Sequence, residues 1–421
     1  MATSDYFSDL KDQLLSLGKD KKKALILASL SLFFLLFSYP MIRSAAEAIF
    51  LESYGAKSSP LAWLYSIVAL SISISIFNKL QVSKSVQTIF WLIGLSTFAI
   101  LSIAVFFINK DVKLLSYVLI IWKEVYIVLM VHLVLGYVNS ILSYKLAKTI
   151  YGPMGALGSI GGIIGGQVTS KYVGALGGAE GVAIFGSVFI VVSCICFQLT
   201  GPKFSRLDDT NDRKNESPLH SILDVKKYVF LIALIILLSQ FCINLANFKF
   251  NIMLERFVQT KAEKVSYLGN LYSSINGVSL FMQVLVIPVL FNLVKNRSIH
   301  FFIPVFFFLI SGLGVSLGSA SLFPVALTFV MFKGTDYSLF SAAKEMLYFP
   351  LVTRQKYGAK YVVDMVVYRF AKGLISFLLI FYQSETFVDI CLSICLIVWI
   401  FILIPLFIEQ KKVLKVNKEY L

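Results

Sequence analysis

The chain has 421 residues, of which 58% are hydrophobic and only 14% are charged, and its formal net charge is +15. Soluble domains carry about 25% charged residues, so this composition excludes an ordinary soluble protein and indicates an integral membrane protein. The positive charge does not indicate nucleic-acid binding. The basic residues gather between long apolar runs, where such residues set membrane orientation.

Twelve apolar runs are long enough to form membrane helices, which need about 20 residues each. In chain order they are 24–51, 60–78, 87–108, 114–140, 149–172, 181–200, 227–250, 266–294, 299–318, 321–350, 360–383 and 387–408. The longest polar stretch, 201–226, separates the first six from the last six, and the segments 1–23 and 409–421 flank the set. We therefore expect an all-α protein with twelve transmembrane helices in two bundles, 24–200 and 227–408. Six plus six helices are typical of the major facilitator type.

The basic residues outside the runs are unevenly distributed. The termini, the connector and alternate loops hold 24 Lys and Arg residues, whereas the other loops hold 7. Because basic residues accumulate in cytoplasmic loops, both termini are expected in the cytoplasm. The run after Lys21–Lys23 resembles a secretory signal, but its removal would break this pattern, so we expect an uncleaved first helix. Residues 1–20 are expected to lie on the membrane surface as an amphipathic helix.

Two features that could suggest other functions have simpler explanations. The glycine-rich run Gly152–Gly166 lacks the Lys-Ser/Thr ending of a phosphate loop and follows no strand, and its small residues suit close helix packing. The five cysteines lie in apolar runs, where small hydrophobic packing residues are the simpler interpretation, so no metal or other cofactor is expected. No nucleophile–base pair stands out either, so we do not expect an enzyme.

Apart from Lys171, Lys227 and Lys360 at the ends of runs, which are counted with the loops, seven cations fall inside the predicted helices, and this is the most informative feature of the chain. They are Arg43, Lys123, Lys249, Lys333, Lys344, Arg369 and Lys372, against the carboxylates Glu47, Glu124, Asp336, Glu345 and Asp364. A cation near the bilayer centre costs about 2.5–3.5 kcal/mol on insertion scales and usually faces a partner or a hydrated cavity. The surplus of two cations predicts a positively charged cavity for an anionic ligand.

The densest polar pattern lies in the tenth predicted helix. Residues at i, i+3, i+4, i+7 and i+11 share one face; they are Lys333, Asp336, Tyr337, Phe340 and Lys344, with Tyr348 a turn beyond. Lys333 and Asp336 can compensate each other. Lys344 has no carboxylate at i±3 or i±4, so it is the better candidate for a ligand phosphate. Glu345 is predicted to point toward a different neighbour.

The eleventh predicted helix repeats this pattern with Asp364, Tyr368 and Lys372 at i, i+4 and i+8. Arg369 projects away from that line, and its planar guanidinium suits bidentate contacts with phosphate or carboxylate. The sequence also allows a structural role for these charges, as ion pairs that join helices. Lys249 is close enough to a helix end to extend toward the interface.

Two earlier helices carry further charge. Arg43 and Glu47 lie one turn apart in the first, and Lys123 and Glu124 are adjacent in the fourth, with Asn139 on the Glu124 side. Arg43 and Glu47 could equally form a gating ion pair that never touches a ligand.

The segment FKGTDYSLFSAAKEMLYFPL (332–351), with Lys360, Asp364, Arg369 and Lys372 after it, resembles the nucleotide transporter family, the ATP/ADP antiporters of plastids and intracellular bacteria. Glu124, GYVNS (136–140) and Tyr151–Gly155 are similar to the family's motifs in the fourth and fifth helices, and Arg43 matches its helix-one arginine. The resemblance implies a major-facilitator-type fold in a bacterial inner membrane, ATP binding, and exchange of two nucleotides by alternating access.

The chain also departs from the family pattern. Ala46 stands where the family has a lysine, Asn247 where it has a helix-seven glutamate, and Ser341 where it has an aspartate. Losing a cation and an acid implies a substrate of different charge, or a different mode of coupling.

We therefore predict three sets of site residues. Phosphate contacts are expected from Lys344, Arg369, Lys372, Lys333 and Arg43. Further substrate contacts are expected from Tyr337, Tyr348, Tyr368 and Asn139, the tyrosines stacking on or hydrogen-bonding to a base or sugar. Coupling or gating is expected from Glu124, Lys123, Glu47, Asp336, Glu345 and Asp364.

Two other functions stay open at this point. One is a proton-coupled carrier of a smaller anion, with Glu124, Glu47 or Asp364 as the titrating group. The other is a membrane sensor or scaffold that does not transport. The expected partners are a small anionic substrate and the lipid bilayer, and the sequence does not give an oligomeric state.

Overall fold

The computed structural model describes residues 17–142, 144–201, 220–318 and 320–417. These ranges contain helices and short connections and no strand, which confirms the all-α prediction. The predicted surface helix and most of the predicted connector lie outside the described residues.

Fifteen α-helices occur in the described ranges. They are α1 (Lys19–Tyr54), α2 (Ser59–Ser83), α3 (Val86–Ile108), α4 (Leu115–Ile141), α5 (Tyr144–Tyr172), α6 (Gly178–Gln198), α7 (Lys226–Phe257), α8 (Lys261–Phe281), α9 (Ile287–Leu293), α10 (Asn296–Leu317), α11 (Leu322–Thr335), α12 (Ser341–Leu347), α13 (Thr353–Lys360), α14 (Tyr368–Phe381) and α15 (Glu385–Asn417). Short 3-10 turns, Ala56–Ser58 and His220–Val225, precede α2 and α7.

Three π-helical turns join pairs of these helices into longer rods. Met282–Val286 joins α8 to α9, Asp336–Phe340 joins α11 to α12, and Tyr361–Val367 joins α13 to α14. The fifteen helices therefore make twelve continuous rods in the described residues, one over each predicted span.

Nine of these rods are long and apolar enough to cross a membrane, within the part of the chain that the structure describes. The other three are α5, with its glycine-rich run, and the rods α11–α12 and α13–α14, which carry the densest charge. Glycines and charged side chains lower the hydropathy of these three, so the count of twelve spans stays a prediction.

The chain divides into two compact units. Unit 1 comprises the described residues of 1–53, 68–209 and 260–277, and unit 2 those of 54–67, 210–259 and 278–421. The boundaries fall inside α2 and α8. This grouping differs from the predicted bundles in the segments 54–67 and 260–277, and the six-plus-six division stays a prediction.

Unit 1 is built by close packing of small residues. Helix α3 packs against α4 and α6, and α1 meets α6 where the hydroxyls of Ser31 and Ser193 lie 2.9 Å apart. Helix α5 approaches the backbone of α1, since a Cβ added to Gly161 would lie 2.5 Å from the carbonyl oxygen of Phe33. The glycine run thus serves helix packing, as the sequence predicted.

Helix α7 is the centre of unit 2, where it packs against α11, α14 and α15. Its apolar residues Ile232, Ile235 and Phe250 are fully buried. On α15, Trp399 packs edge-on against Phe340, at 5.3 Å between ring centroids. This contact helps to hold the π-helical turn of Asp336–Phe340 in place.

Candidate functional site

The predicted site residues fall into two groups, one in each unit. In unit 2, a cavity of about 190 Å³ lies between α7, the α11–α12 rod and α14. Its walls are Ile236, Gln240, Asp336, Tyr337, Phe340, Ser341, Lys344 and Tyr368. A water molecule takes about 30 Å³ of liquid, so the cavity can hold several waters or a polar group of a ligand.

Lys344 is the cation that lines this cavity, and it is held by one carboxylate. Its Nζ lies 2.7 Å from Asp364 Oδ1, and the hydroxyl of Tyr348 donates to the same oxygen at 3.3 Å. Asp364 therefore supplies from a neighbouring rod the carboxylate that Lys344 lacks at i±3 and i±4 on its own rod. Both charged side chains keep access to water, with 16% of Lys344 and 28% of Asp364 exposed.

The π-helical turn of Asp336–Phe340 changes the predicted face of this rod. Asp336, Tyr337 and Lys344 line the cavity, but Lys333 is not among the lining residues. A π turn contains one residue more than an α turn and breaks the regular helical spacing, so the shared face of Lys333 and Lys344 stays a prediction.

Lys333 has local contacts instead. Its Nζ lies 3.5 Å from Asp336 Oδ2 and 4.6 Å from the centroid of the Tyr337 ring. Gln240 of α7 also donates to Asp336, at 3.4 Å. The predicted compensation of Lys333 by Asp336 is confirmed, and the sequence reasoning missed Gln240.

Glu345 points away from Lys344 to a different partner, as its position predicted. Its carboxylate accepts a hydrogen bond from the ammonium of Lys360. The two neighbouring residues of α12 thus take part in two separate ion pairs, one beside the cavity and one that is more exposed.

The remaining cations of this group lie on α14. Arg369 is half-buried and forms no ion pair with a carboxylate in the part of the chain that the structure describes. Lys372 lies one turn after Tyr368, and its carbonyl oxygen accepts a hydrogen bond from Ser376 at 2.6 Å. Neither residue is among those that line the cavity, whereas Tyr368 is.

The second group lies in unit 1 and is called here the charge cluster, formed by Arg43, Glu47, Lys123, Glu124 and Tyr272. Glu47 is its centre, 3.7 Å from Arg43 Nε and 3.7 Å from Lys123 Nζ. Lys123 also contacts Glu124 at 3.0 Å. The hydroxyl of Tyr272 donates to Glu47 Oε2, and the Arg43 guanidinium lies 4.2 Å from the centre of the Tyr272 ring.

The charge cluster is electrically balanced, and all of its charged members except Glu124, which is 25% exposed, are buried. Arg43 is 7% exposed, Glu47 2% and Lys123 1%. Two cations face two carboxylates, and low dielectric strengthens the attraction between such buried pairs. A ligand phosphate that paired with Arg43 would compete with Glu47 for its guanidinium. Tyr272, which the sequence reasoning missed, is a buried polar residue of α8 without charge, so no charge pattern signals it.

Asn139 does not join the charge cluster. It is exposed near the end of α4, fifteen residues after Glu124, which is about 22 Å along a helix. The hydroxyl of Tyr151 on α5 donates to its side chain. Its predicted substrate contact therefore lacks a neighbour among the other predicted site residues of unit 1.

Lys249 corrects the predicted charge balance. Its Nζ lies 2.6 Å and 2.8 Å from the two carboxylate oxygens of Asp389 on α15. Lys249 is buried, so the alternative that it extends toward the interface is wrong. Asp389 is a sixth carboxylate inside a predicted span. The excess of the seven cations over the carboxylates therefore falls from two to one. Among the described residues, ion pairs with carboxylates are seen for Arg43, Lys123, Lys249, Lys333 and Lys344.

Comparison with solved structures defines the fold class. A mutant of the nucleoside transporter NupG superimposes with a TM-score of 0.66 at 13% identity, over 91% of this chain and 100% of that chain. The POT family transporter PepTSo gives a TM-score of 0.61 at 10% identity, over 93% and 98%. At these identities the likeness concerns the fold alone. The chain is an integral membrane protein with the major-facilitator-type fold.

Comparison with curated proteins finds similar bacterial carriers, although no family model matches the chain. ADP,ATP carrier protein 1 of Chlamydia trachomatis is 26% identical over 56% of this chain, and the match spans about half of that carrier's length, 53%. ADP,ATP carrier protein 3 of Rickettsia conorii is 22% identical over 99% of this chain and 98% of its own. The chain is a divergent relative of these bacterial carriers, which confirms the predicted resemblance. They are carriers rather than enzymes, in agreement with the sequence-based expectation.

Proposed function

We propose that the protein is a membrane transporter that moves a nucleotide or a related phosphorylated anion by alternating access, as an exchanger. It acts in a bacterial inner membrane with both termini in the cytoplasm. The observation that carries this proposal is the position of Lys344. This cation lines the cavity of about 190 Å³ and pairs with one partly exposed carboxylate, that of Asp364. The sequence likeness to ADP,ATP carriers supports the substrate class.

The contacts of Lys344 suggest how a phosphate binds. A phosphate oxygen can replace Asp364 Oδ1 as the acceptor of the Lys344 ammonium, because both form charge-assisted hydrogen bonds of similar length. In this proposal the ligand phosphate takes the place of the Asp364 carboxylate beside Lys344. Tyr337 and Tyr368 line the same cavity and offer ring faces and hydroxyls to a base or a sugar.

The charges that remain when no ligand is bound support exchange over one-way transport, because they decide how costly the return of the empty carrier is. Lys344 is compensated by Asp364, so it adds little to the cost of returning empty. Arg369 has no carboxylate partner in the described residues. An unpaired cation is costly to carry through a low-dielectric environment, so we assign to Arg369 the charge that makes the carrier return with an anion.

A second candidate function is a proton-coupled carrier of a smaller anion. The contacts of Asp364 favour this candidate. Its partner Lys344 lines the cavity where a ligand would bind, and its carboxylate also accepts a hydrogen bond from Tyr348. If a ligand took Lys344, Asp364 would lose its cation, and in this second candidate a proton takes the place of that cation. In that case an imposed pH gradient would drive uptake.

Uptake by proteoliposomes tests the proposal. The purified protein is reconstituted into liposomes that are preloaded with ADP or left empty, and uptake of labelled ATP is measured. We expect preloading to raise uptake many-fold. Uptake that follows a pH gradient and ignores the preload would favour the proton-coupled carrier. ATP binding without any uptake would favour a sensor or scaffold.

A thermal-shift screen identifies the substrate within this class. Nucleotides, nucleotide sugars and inorganic phosphate are compared, because a ligand that prefers the folded state raises its apparent stability. We expect a nucleotide to give the largest shift. A shift only with inorganic phosphate would contradict nucleotide recognition.

A further inference from the structure

The first part of α8 is held to α5 by small and polar residues. A Cβ added to Gly269 would lie 2.8 Å from the carbonyl oxygen of Gly166, so the two backbones are in direct contact. The hydroxyls of Ser170 and Ser266 lie 3.1 Å apart. A hydrogen bond between neutral groups is worth little net, because each group exchanges a water partner for a protein partner. Water can therefore replace these contacts at low cost.

Helix α8 is also held to α1 through the charge cluster. Tyr272 donates its hydroxyl to Glu47, and its ring lies under the Arg43 guanidinium. About two turns earlier on α8, Lys264 pairs with Glu52 at 3.0 Å. Tyr272 is thus the residue of α8 that touches both charged groups of the Arg43–Glu47 pair.

The segment held in this way ends where the units divide. Residues 260–277 group with unit 1, and the rod continues into unit 2 after Gly277. A Cβ added to Gly277 would meet no atom within 4 Å, so packing does not require glycine there. Glycine in a helix interior lowers helix stability relative to alanine, so the rod is locally weak at the end of this segment.

We propose that Tyr272 is a positioning residue through which an anion at Arg43 releases the first part of α8 from α1 and α5. This inference rests on the proposed function, since the anion is the phosphate of the transported nucleotide. A phosphate that pairs with Arg43 competes with Glu47 for the guanidinium. When Arg43 turns toward the phosphate, it leaves the Tyr272 ring, and the hydrogen bond from Tyr272 to Glu47 loses its geometry.

A cysteine pair reports whether the first part of α8 is attached. In the double variant Ser170→Cys/Ser266→Cys the two sulfurs replace hydroxyls 3.1 Å apart, within reach of a disulfide. The rate of crosslinking by a membrane-permeant oxidant is measured with and without ATP. We expect ATP to slow the crosslinking several-fold. The single variants control for the native cysteines.

A matched pair controls for general effects of ATP on the protein. Ser31→Cys/Ser193→Cys joins α1 to α6 in the same unit, where the hydroxyls lie 2.9 Å apart, and it does not involve α8. We expect its crosslinking rate to be the same with and without ATP. A rate that ATP slows equally in both pairs would overturn the inference, because the change would then not be specific to α8.

The variant Tyr272→Phe, made in the Ser170→Cys/Ser266→Cys background, tests the positioning role. It keeps the ring under Arg43 and removes only the hydroxyl. We expect slower crosslinking without ATP and little further change with ATP. If ATP raises the thermal stability of the protein but leaves the crosslinking rate of the parent pair unchanged, the inference fails while the proposed function stands. If ATP and the other phosphorylated ligands of the screen give neither a thermal shift nor uptake, the proposed function itself fails.

Hydrogen exchange of the unmodified protein gives a second measurement that needs no variant. We expect ATP to increase exchange of the backbone amides of residues 261–277 and to leave that of α6 unchanged. Unchanged or slower exchange in 261–277 under saturating ATP would overturn the inference even if the cysteine variants fail to fold.

Discussion

The charge cluster of unit 1 and the cavity of unit 2 are built from the same residue types, but they differ in access to water. In the cluster, Arg43, Glu47 and Lys123 are almost fully buried, and Glu47 lies within ion-pair distance of both cations. At the cavity, Lys344 and Asp364 form a short ion pair that remains partly exposed. A cation inside a membrane helix therefore does not identify a ligand site by itself. The exposure of the pair distinguishes a site that can bind an anion directly from one that must first open.

Lys344→Ala should have the largest effect on transport. It removes the cation of the cavity, and we expect ATP uptake by proteoliposomes to fall more than about tenfold, as the loss of a charge-assisted bond of more than about 1.4 kcal/mol predicts. Lys227→Ala is the matched control, because Lys227 also pairs with a carboxylate, at 2.9 Å, but is exposed and does not line the cavity. Undiminished uptake by Lys344→Ala at normal membrane abundance would reject the role of Lys344.

The double variant Lys344→Ala/Asp364→Asn separates binding from stability. Asp364 loses its charge together with its partner, so the double variant should be as abundant as the parent and should still fail to transport. Recovery of uptake in the double variant would show that Lys344 only neutralises Asp364.

Lys123→Ala should have the largest effect on stability. It leaves Glu47 and Glu124 without their shared cation. Removing one partner of a buried ion pair costs about 3–5 kcal/mol, which should appear as a clearly lower thermal unfolding temperature in detergent. The same measurement on Lys344→Ala should give a smaller decrease, because Asp364 is partly exposed to water. Equal decreases would break the distinction between the closed cluster and the open cavity.

Lys249 and Asp389 test whether a buried pair in unit 2 is structural. Lys249→Met alone should destabilise the protein, though less than Lys123→Ala, since Asp389 is partly exposed. Lys249→Met/Asp389→Leu should restore most of the loss, because apolar residues of similar volume often replace a buried ion pair at no cost. ATP uptake by the stable double variant should persist. A loss of uptake there would add this pair to the functional residues.

Lys360→Ala should have the smallest effect of the series on stability. Its pair with Glu345 is partly exposed at both ends, and exposed ion pairs contribute about 0–1 kcal/mol. The thermal unfolding temperature should change little. A decrease as large as that of Lys123→Ala would show that exposure does not rank the ion pairs of this protein.

The positions of the helices could be predicted from the sequence, because each apolar run must be long enough to cross the bilayer and every run coincides with a rod. The local compensation of Lys333 by Asp336 could also be predicted, since i and i+3 are neighbours on a helix. The partners of Lys344 and Lys249 could not be. Asp364 and Asp389 reach them from other helices, and one sequence without an alignment does not say which helices are adjacent.

The π-helical turns are the other part of the site that the sequence does not reveal. Asp336–Phe340 has an ordinary composition, and nothing in DYSLF marks a wider turn. The predicted face follows a regular helical period and therefore includes Lys333. Tyr272 escapes prediction for a related reason, since its role comes from contacts with α1 and not from its place in α8.

A single residue decides which way Lys344 points. The turn of Asp336–Phe340 holds one residue beyond the regular helical count, and deleting one residue from it would turn everything that follows by about 100°. Lys344 would then take the direction that Ala343 has now and leave the cavity wall. If related chains have a π-helical turn at the same position, their equivalent lysine should point in the same direction. This should hold even where the neighbouring residues differ.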